Sequence, residues 1–303
     1  MVFSSLDPVW VVIMRRAQSS KSNLRGHPLR TGADHPCLRP LLVILAIAGL
    51  LISTRIAEAA DCSLGPQNAG PVASVTDGRT FVLADGRAVR LAMIEVPALP
   101  PPGSALQRQA TAGDRSRNAL EELVGGRDLL LASFGADRFG RVLARAYLPD
   151  SQGPKAVEAV LLAAGLAFVS PYAGNHNCVA DLIAAERTAR GAKLGLWADA
   201  EFATRNADDP DAVRAARGRF AIVEGKVVSV RESGATIYVN FGRRWDEDFT
   251  VTISKRNERL FAGSGLMPKS LAGRRVRIRG VVEERGGPWI EAILPGQIEI
   301  VDR

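Results

Sequence analysis

The sequence predicts a mainly β protein with helices set between the strands: a small barrel braced by helices, followed by a second small barrel. Three observations carry that expectation. Alternating apolar and polar residues from Val72 onward are broken by Asp77-Gly78 and Asp85-Gly86, two hairpin signals eight residues apart. Glycine-terminated helical stretches follow this meander. Strand patterns then resume at Arg219 after a polar segment. A chain of 303 residues with 47% hydrophobic and 23% charged residues has room for two cores, and its composition excludes wholesale disorder.

The N-terminal 59 residues read as an export signal with an extension. Arg39-Pro40 precedes an apolar run from Leu41 to Ile52, and Ala57-Glu58-Ala59 offers a small-x-small cleavage pattern. A run this long falls short of the roughly 20 apolar residues that span a bilayer. Cleavage near Ala59 predicts a periplasmic or secreted protein; an uncleaved, membrane-anchored form is the alternative. About 40 residues precede the run, so Met14, followed by Arg15-Arg16, is a second candidate start. Cleavage removes Cys37 and leaves Cys62 and Cys178. In an oxidising compartment they are expected to form one disulfide, worth up to about 4–5 kcal/mol by constraining the unfolded chain.

Residues 60–198 form the first predicted domain. After the meander, Leu99–Gly103, with three successive prolines, reads as a loop. Leu106, Ala110, Leu120, Leu123 and Val124 share a helical face that Gly125-Gly126 ends. Leu129–Ser133 and Val142–Leu148 read as strands flanking the turn Asp137-Arg138-Phe139-Gly140-Arg141. Val157–Ala164 and Val179–Lys193 read as helices, closed by Gly165 and by Gly195-Leu196-Trp197. Residues 199–218 are polar, with a helix start at Asp209-Pro210-Asp211, and read as a linker. Residues 219–303 hold AIVEGKVVSV, ATIYVNF, DFTVTI, RRVRIRGVVEE and PWIEAI, five strands of an OB-like barrel.

Four pieces of the first domain, VTDGRTFVLADGRAVRLAMIEVP, ADRFGRVLARAYL, VEAVLLAAGLAFV and AERTARGAKLGLW, together resemble the staphylococcal nuclease (thermonuclease) family over about 125 residues. The resemblance implies a five-stranded OB-like barrel with three helices, and its active members are calcium-dependent endonucleases of DNA and RNA. The tail from Arg219 looks like an accessory OB domain of some bacterial relatives. By resemblance, Arg90 and Arg141 contact phosphate, and Glu95 is a calcium ligand. A planar guanidinium suits phosphate through paired donors. Salt bridges to Asp137 or Glu95 are the competing role for these arginines.

The acidic half of the pattern is altered. The family's DGDT turn is DGRT here, so Arg79 stands where a calcium-ligating carboxylate is expected. Val96 supplies no hydroxyl, and Ala98 replaces the carboxylate that serves as general base or water-orienting group. Calcium takes six to eight oxygens, and a guanidinium repels it by about 4 kcal/mol per unit pair at 4 Å and an effective dielectric of 20. No cofactor is therefore expected, calcium entering only if the altered site still binds it. Arg79, Arg90 and Arg141 are expected to converge as an anion-binding surface, unless Arg79 points into solvent.

The formal charge is +7, carried unevenly. Residues 60–217 hold 17 Lys/Arg against 18 Asp/Glu, and residues 218–303 hold 15 against 11. A nucleic-acid surface is thus sought in the last third. Tyr238, Phe241, Arg243 and Trp245 offer stacking and charge, and alternation puts Arg275, Arg277 and Arg279 on one strand face. An ordinary solvated sheet face would explain the same arginines. Three functions stay open: a protein that binds DNA, RNA (single-stranded by preference) or another phosphate polyanion without efficient cleavage, an active endonuclease with an altered site, and a protein-interaction module of the cell envelope.

Overall fold

The computed structural model describes residues 65, 67–99, 107–171, 179–244 and 246–301. The expected export signal, Cys62, Cys178 and Trp245 lie outside the described residues. Among those described, no helix is long and apolar enough to cross a membrane.

The first barrel closes as its sequence implies. Strands β1 (Gln67–Asp77), β2 (Thr80–Leu83) and β3 (Ala88–Leu91) form the antiparallel meander turned by the two Asp-Gly pairs. Strand β4 (Ile94–Glu95) follows, then helix α1 (Gln107–Val124), β5 (Asp128–Ala136) and β6 (Val142–Leu148). β1 pairs with β5, β5 with β6, and β6 runs parallel to β3, so the five strands β1, β2, β3, β5 and β6 make a closed ring. Phe81, Leu83, Val89, Leu91, Leu129 and Ala144 fill it, each at most 1% exposed. Strand β7 (Lys155–Ala156) and helix α2 (Val157–Ala163) follow, then β8 (Phe168–Val169) and helix α3 (Val179–Gly191). Leu120 and Val124 of α1, Leu161 of α2 and Leu182 of α3 seal the same core. The two-residue strands β4, β7 and β8 are too short to leave an alternation in the sequence; β4 and β8 pair with each other.

The segment 199–218, read from sequence as a linker, joins the barrels and is itself folded. β9 (Arg205–Asn206) runs parallel to the first strand of the second domain, and α4 (Pro210–Arg214) is capped by Asp209 accepting from the Ala212 N–H at 3.0 Å.

The second domain is built from two sheets. One has the order β17 (Ile298–Ile300), β14 (Arg275–Val281), β10 (Phe220–Lys226), β9. The other runs β11 (Ser229–Ser233), β12 (Thr236–Asn240), β13 (Thr250–Ser254), β16 (Gly287–Glu291), β15 (Glu283–Arg285). Two of the five expected strands are therefore split. At Val227 the chain leaves one sheet for the other, its N–H donating to the Arg274 carbonyl at 2.9 Å, and Val282 makes the matching break with Arg219. Helix α5 (Glu258–Gly263) adds Phe261 to a core of Val223, Ile237, Val251, Ile278 and Ile290.

Candidate functional site

The mouth of the first barrel carries three arginines, Arg79 and Arg141 at turns and Arg90 on β3. Asp77 Oδ1 accepts the Arg79 N–H at 2.9 Å, fixing the hairpin turn between β1 and β2. Gly78 lets that turn lie on α1: a Cβ there would come within 2.5 Å of the Ser116 Cβ. The register Thr80↔Arg90 sets Arg79 beside Arg90, and Arg90↔Leu143 brings in the turn that carries Arg141.

Each arginine is held differently. The Arg79 guanidinium grips Glu95 with both ends, Arg79 Nη1 to Oε2 and Nη2 to Oε1 at 2.5 Å, and also donates to the Ile94 carbonyl at 3.1 Å. Arg141 is clamped by Asp137, Nε at 2.7 Å and Nη2 at 2.6 Å from Oδ2. Burial pushes the Asp137 carboxyl up, but the hydrogen bonds from Arg141 and from the Phe139 N–H outweigh it and hold its pKa below the usual value. Arg90 has no ion pair or side-chain hydrogen bond among the described residues, and it is only half-buried. Burial first, then the like charges of Arg79 and Arg141, push its pKa down, with Glu95 and Asp77 pulling the other way. It stays charged, since an arginine does not deprotonate in a protein. Arg79 and Arg141 are thus each engaged by a carboxylate, whereas among the described residues Arg90 meets none.

Phe139, to which the sequence assigns no role, stands 68% exposed at the Arg141 turn, with Arg138 and Arg141 against its ring, 4.7 and 5.2 Å from its centre. Its only signal was an aromatic at the tip of an Asp-x-x-Gly-Arg turn.

Two carboxylates at this mouth are already paired with arginines: both oxygens of Glu95 are occupied by Arg79, and Asp137 is taken by Arg141. Val96 is buried, and Ala98 lies exposed on a backbone pressed against α1, where a Cβ on Gly113 would come within 2.9 Å of the Ala98 carbonyl. Among the described residues no three carboxylate, imidazole or thiol groups are placed to share a metal.

Residues 88–199, which include β3, Arg90, Glu95 and Arg141, match the family described as staphylococcal nuclease homologue. An Escherichia coli protein named "uncharacterized endonuclease" is 31% identical over 133 residues, 44% of this chain and 78% of its own length. The chain belongs to the staphylococcal nuclease homologue family. Protein ParB of Escherichia coli is 29% identical over 138 residues, and the micrococcal nuclease of Shigella flexneri is 29% identical over 136. Those alignments cover 43% of this chain and 72% and 74% of the respective relatives.

Behind the nuclease-like mouth the two barrels meet along a charged seam, and here the expected arginine face is accounted for. Arg275, Arg277 and Arg279 do share one face of β14, but that face is increasingly covered from Arg275, which is exposed, to Arg279, and each arginine is paired. Arg279 is fully buried, with Nη1 3.0 Å from Glu186 Oε2 on α3, a carboxylate that is also fully buried and takes the Val169 N–H at 2.6 Å. Arg277 bridges Glu224 and Glu299, at 2.6 and 2.9 Å, and Arg275 reaches Glu224 at 2.8 Å. Arg187 and Arg190 complete the cluster on Glu299 and Glu186. Arg275 and Arg277 are thus structural partners of carboxylates, not an open cationic strip. Beside them Phe168 packs edge-on to Trp197 at 5.0 Å and tilts against Phe202 and Phe220. A cavity of about 230 Å³ lies here, lined by Glu95, Ala98, Phe168, Phe202, Phe220 and Arg219 among others.

The remaining nucleic-acid candidates divide. Phe241 is 3% exposed and stacks in the core on Phe249 at 5.0 Å, because its N–H closes the hairpin onto the Phe249 carbonyl; it has no face to offer a base. Tyr238 and Arg243 are exposed and line an open groove on the five-stranded sheet.

Proposed function

We propose that this protein binds nucleic acid, DNA or RNA, at the mouth of its nuclease-like barrel, with Arg90 and Arg141 as the phosphate contacts and hydrolysis weak or absent. The observation that carries this reading is the two-pronged Arg79–Glu95 ion pair, which replaces a metal-ligating arrangement with an internal clamp. Phosphodiester hydrolysis needs charge neutralisation on the phosphoryl oxygens and an activated water. Arg90 and Arg141 supply the first, and Ala98 leaves the second without a base. Phe139, 68% exposed beside Arg138 and Arg141, adds an aromatic ring at the Arg141 turn on which a base could stack.

A second reading, an active endonuclease with an altered site, is favoured by the printed names of the relatives and by the survival of Arg90, Glu95 and Arg141. One experiment separates the two. Purified protein is assayed on supercoiled plasmid with calcium and with chelator, beside the combined variant Arg79→Asp, Ala98→Glu, Glu95→Asp. Wild type is expected to bind without cutting, and the single changes to do little, since groups acting as one catalytic unit are strongly non-additive. The combined variant is expected to gain calcium-dependent cleavage that Arg90→Ala removes. Robust cutting by wild type in calcium would overturn the binding reading.

The reading includes export, with cleavage near Ala59 and a Cys62–Cys178 disulfide. It is supported by the apolar run 41–52 and the small-x-small pattern after it. N-terminal sequencing of the protein recovered from the periplasm or medium, with a free-thiol titration, tests both points.

A further inference from the structure

The groove on the second domain lies outside the barrel mouth invoked above and was only partly foreshadowed by sequence. It opens over β11, β12, β13, β15 and β16, with a volume of about 970 Å³. Alternation builds it. Thr236, Tyr238 and Asn240 on β12 line the groove while Ile237 and Val239 fill the core; on β13 Thr252 and Ser254 line it while Val251 and Ile253 are buried. Short polar side chains at the sheet centre leave room that larger ones would fill.

Charge distinguishes this face. Arg231, Arg243, Arg256 and Arg285 all line it, all are exposed, and among the described residues none has a carboxylate partner. This contrasts with Arg275, Arg277 and Arg279 of the same domain, each committed to a glutamate. Two acids line the groove. Glu232 is already neutralised twice, by Lys255 and Lys269 at 2.9 Å each, which leaves Glu291 against four free guanidinium groups.

Flat surfaces accompany the charge. The Arg285 guanidinium lies 3.9 Å from the centre of the Trp289 ring, so a cation stacked on an indole presents its outer plane, and Tyr238 is 37% exposed on the neighbouring strands. Trp289 is 3% exposed, lines the groove, and its Nε1–H meets no acceptor among the described residues. A buried indole N–H without an acceptor is costly unless a ligand oxygen supplies one.

From these features we infer that the groove is a second binding site, for single-stranded nucleic acid, in which Arg231, Arg243, Arg256 and Arg285 take phosphates and Tyr238 and the Trp289–Arg285 stack take bases. A free polyphosphate would use the arginines and ignore the planes; a duplex would hide its bases from them.

Fluorescence anisotropy of labelled dT12 with the full chain tests the site. The Arg90→Ala, Arg141→Ala double variant is expected to lose the mouth's share of the dT12 affinity and to keep a measurable, salt-sensitive remainder that the groove supplies. Adding Arg231→Ala and Arg285→Ala should weaken it at least tenfold and reduce the slope of log K against log salt by about 1.4, roughly 0.7 per lost single-strand phosphate contact. Tyr238→Ala, which removes one exposed ring, should weaken dT12 about tenfold and leave inorganic polyphosphate unaffected. Polyphosphate binding as tightly as dT12, with Tyr238→Ala neutral for both, would overturn the strand assignment. Preferential capture by anionic phosphatidylglycerol vesicles, lost in Arg231→Ala, Arg285→Ala, would overturn it in favour of a membrane surface. Loss of all dT12 binding in Arg90→Ala, Arg141→Ala would overturn the groove and leave the barrel mouth standing. Loss of all binding in Arg231→Ala, Arg285→Ala alone would support the groove while sinking the mouth.

Discussion

At the seam between the barrels Arg187, Arg190, Arg275, Arg277 and Arg279 each have a carboxylate, whereas at the mouth of the first barrel Arg90 has none among the described residues. The centre of the seam is dry, with Arg279 and Glu186 fully buried, while Arg187 and Arg275 reach solvent at its edge; Arg90 at the mouth is half-buried. Burying an unpaired charge costs several kcal/mol, so a covered guanidinium must be matched, while one in contact with solvent can wait for a ligand. Arginine number therefore says little about binding. What distinguishes a structural cluster from a binding one is how many of its charges the protein has already answered.

The largest expected effect breaks the seam. Glu186→Ala leaves the fully buried Arg279 with the more distant Glu299, at 3.3 Å, and should cost about 3–5 kcal/mol in urea denaturation. The pair Glu186→Leu with Arg279→Met should recover most of that loss, because a buried ion pair replaced whole by apolar side chains is often near neutral. If the double variant is as unstable as the two single losses summed, the charges are not coupled and the comparison fails.

Glu158 sharpens it from the other side, as a buried carboxyl with incomplete pairing. Its Oε1 accepts the Ala146 N–H at 3.0 Å; burial raises its pKa from 4.5 to about 7, with Arg145 opposing. A raised folded pKa means that the native state holds its proton longer than the unfolded chain. Stability from this group is thus full below about pH 4.5 and falls as pH rises to about 7, by on the order of 3 kcal/mol. Unfolding midpoints of wild type and Glu158→Gln, measured across pH 4.5 to 8, should diverge over that window, the variant losing the slope. Parallel profiles would show that Glu158 stays ionised.

The smallest effect is expected at the mouth. Arg90→Ala removes a charge that Arg79 and Arg141 repel, so stability should move by no more than about 1 kcal/mol, while affinity for nucleic acid falls. A loss of stability as large as at the seam would mark Arg90 as structural and remove the main phosphate contact from the proposed function.

Much of this was legible in the sequence, and the failures have a common cause. Asp77-Gly78 and Asp85-Gly86 specified their hairpins because turn chemistry is local, and the positions of Arg79, Arg90 and Glu95 followed from the meander they decorate. The same-face alternation of Arg275, Arg277 and Arg279 was also readable. What covers that face was not: Glu186 stands 93 residues away in the chain. Phe241 misled because it sits among Tyr238, Arg243 and Trp245 in sequence, although alternation sets it with Ile237 and Val239 on the core side, where it packs on Phe249. Arg285 and Trp289 escaped notice, since a Gly-Gly-Pro-Trp stretch gives no hint that a guanidinium will lie on the indole.

The seam has a consequence for how the molecule comes apart. Phe168, Trp197, Phe202, Phe220 and Ile222 form one apolar cluster with contributions from both sides, and the Glu186–Arg279 contact crosses the same boundary. Neither barrel can separate without exposing that cluster and parting Glu186 from Arg279, which leaves Glu186 with Arg190 and Arg279 with Glu299, so the two should melt in a single cooperative transition. A fragment cut to the nuclease-like region alone would carry an aromatic patch on its surface beside a Glu186 that has lost Arg279, and would be expected to aggregate where the intact chain stays in solution.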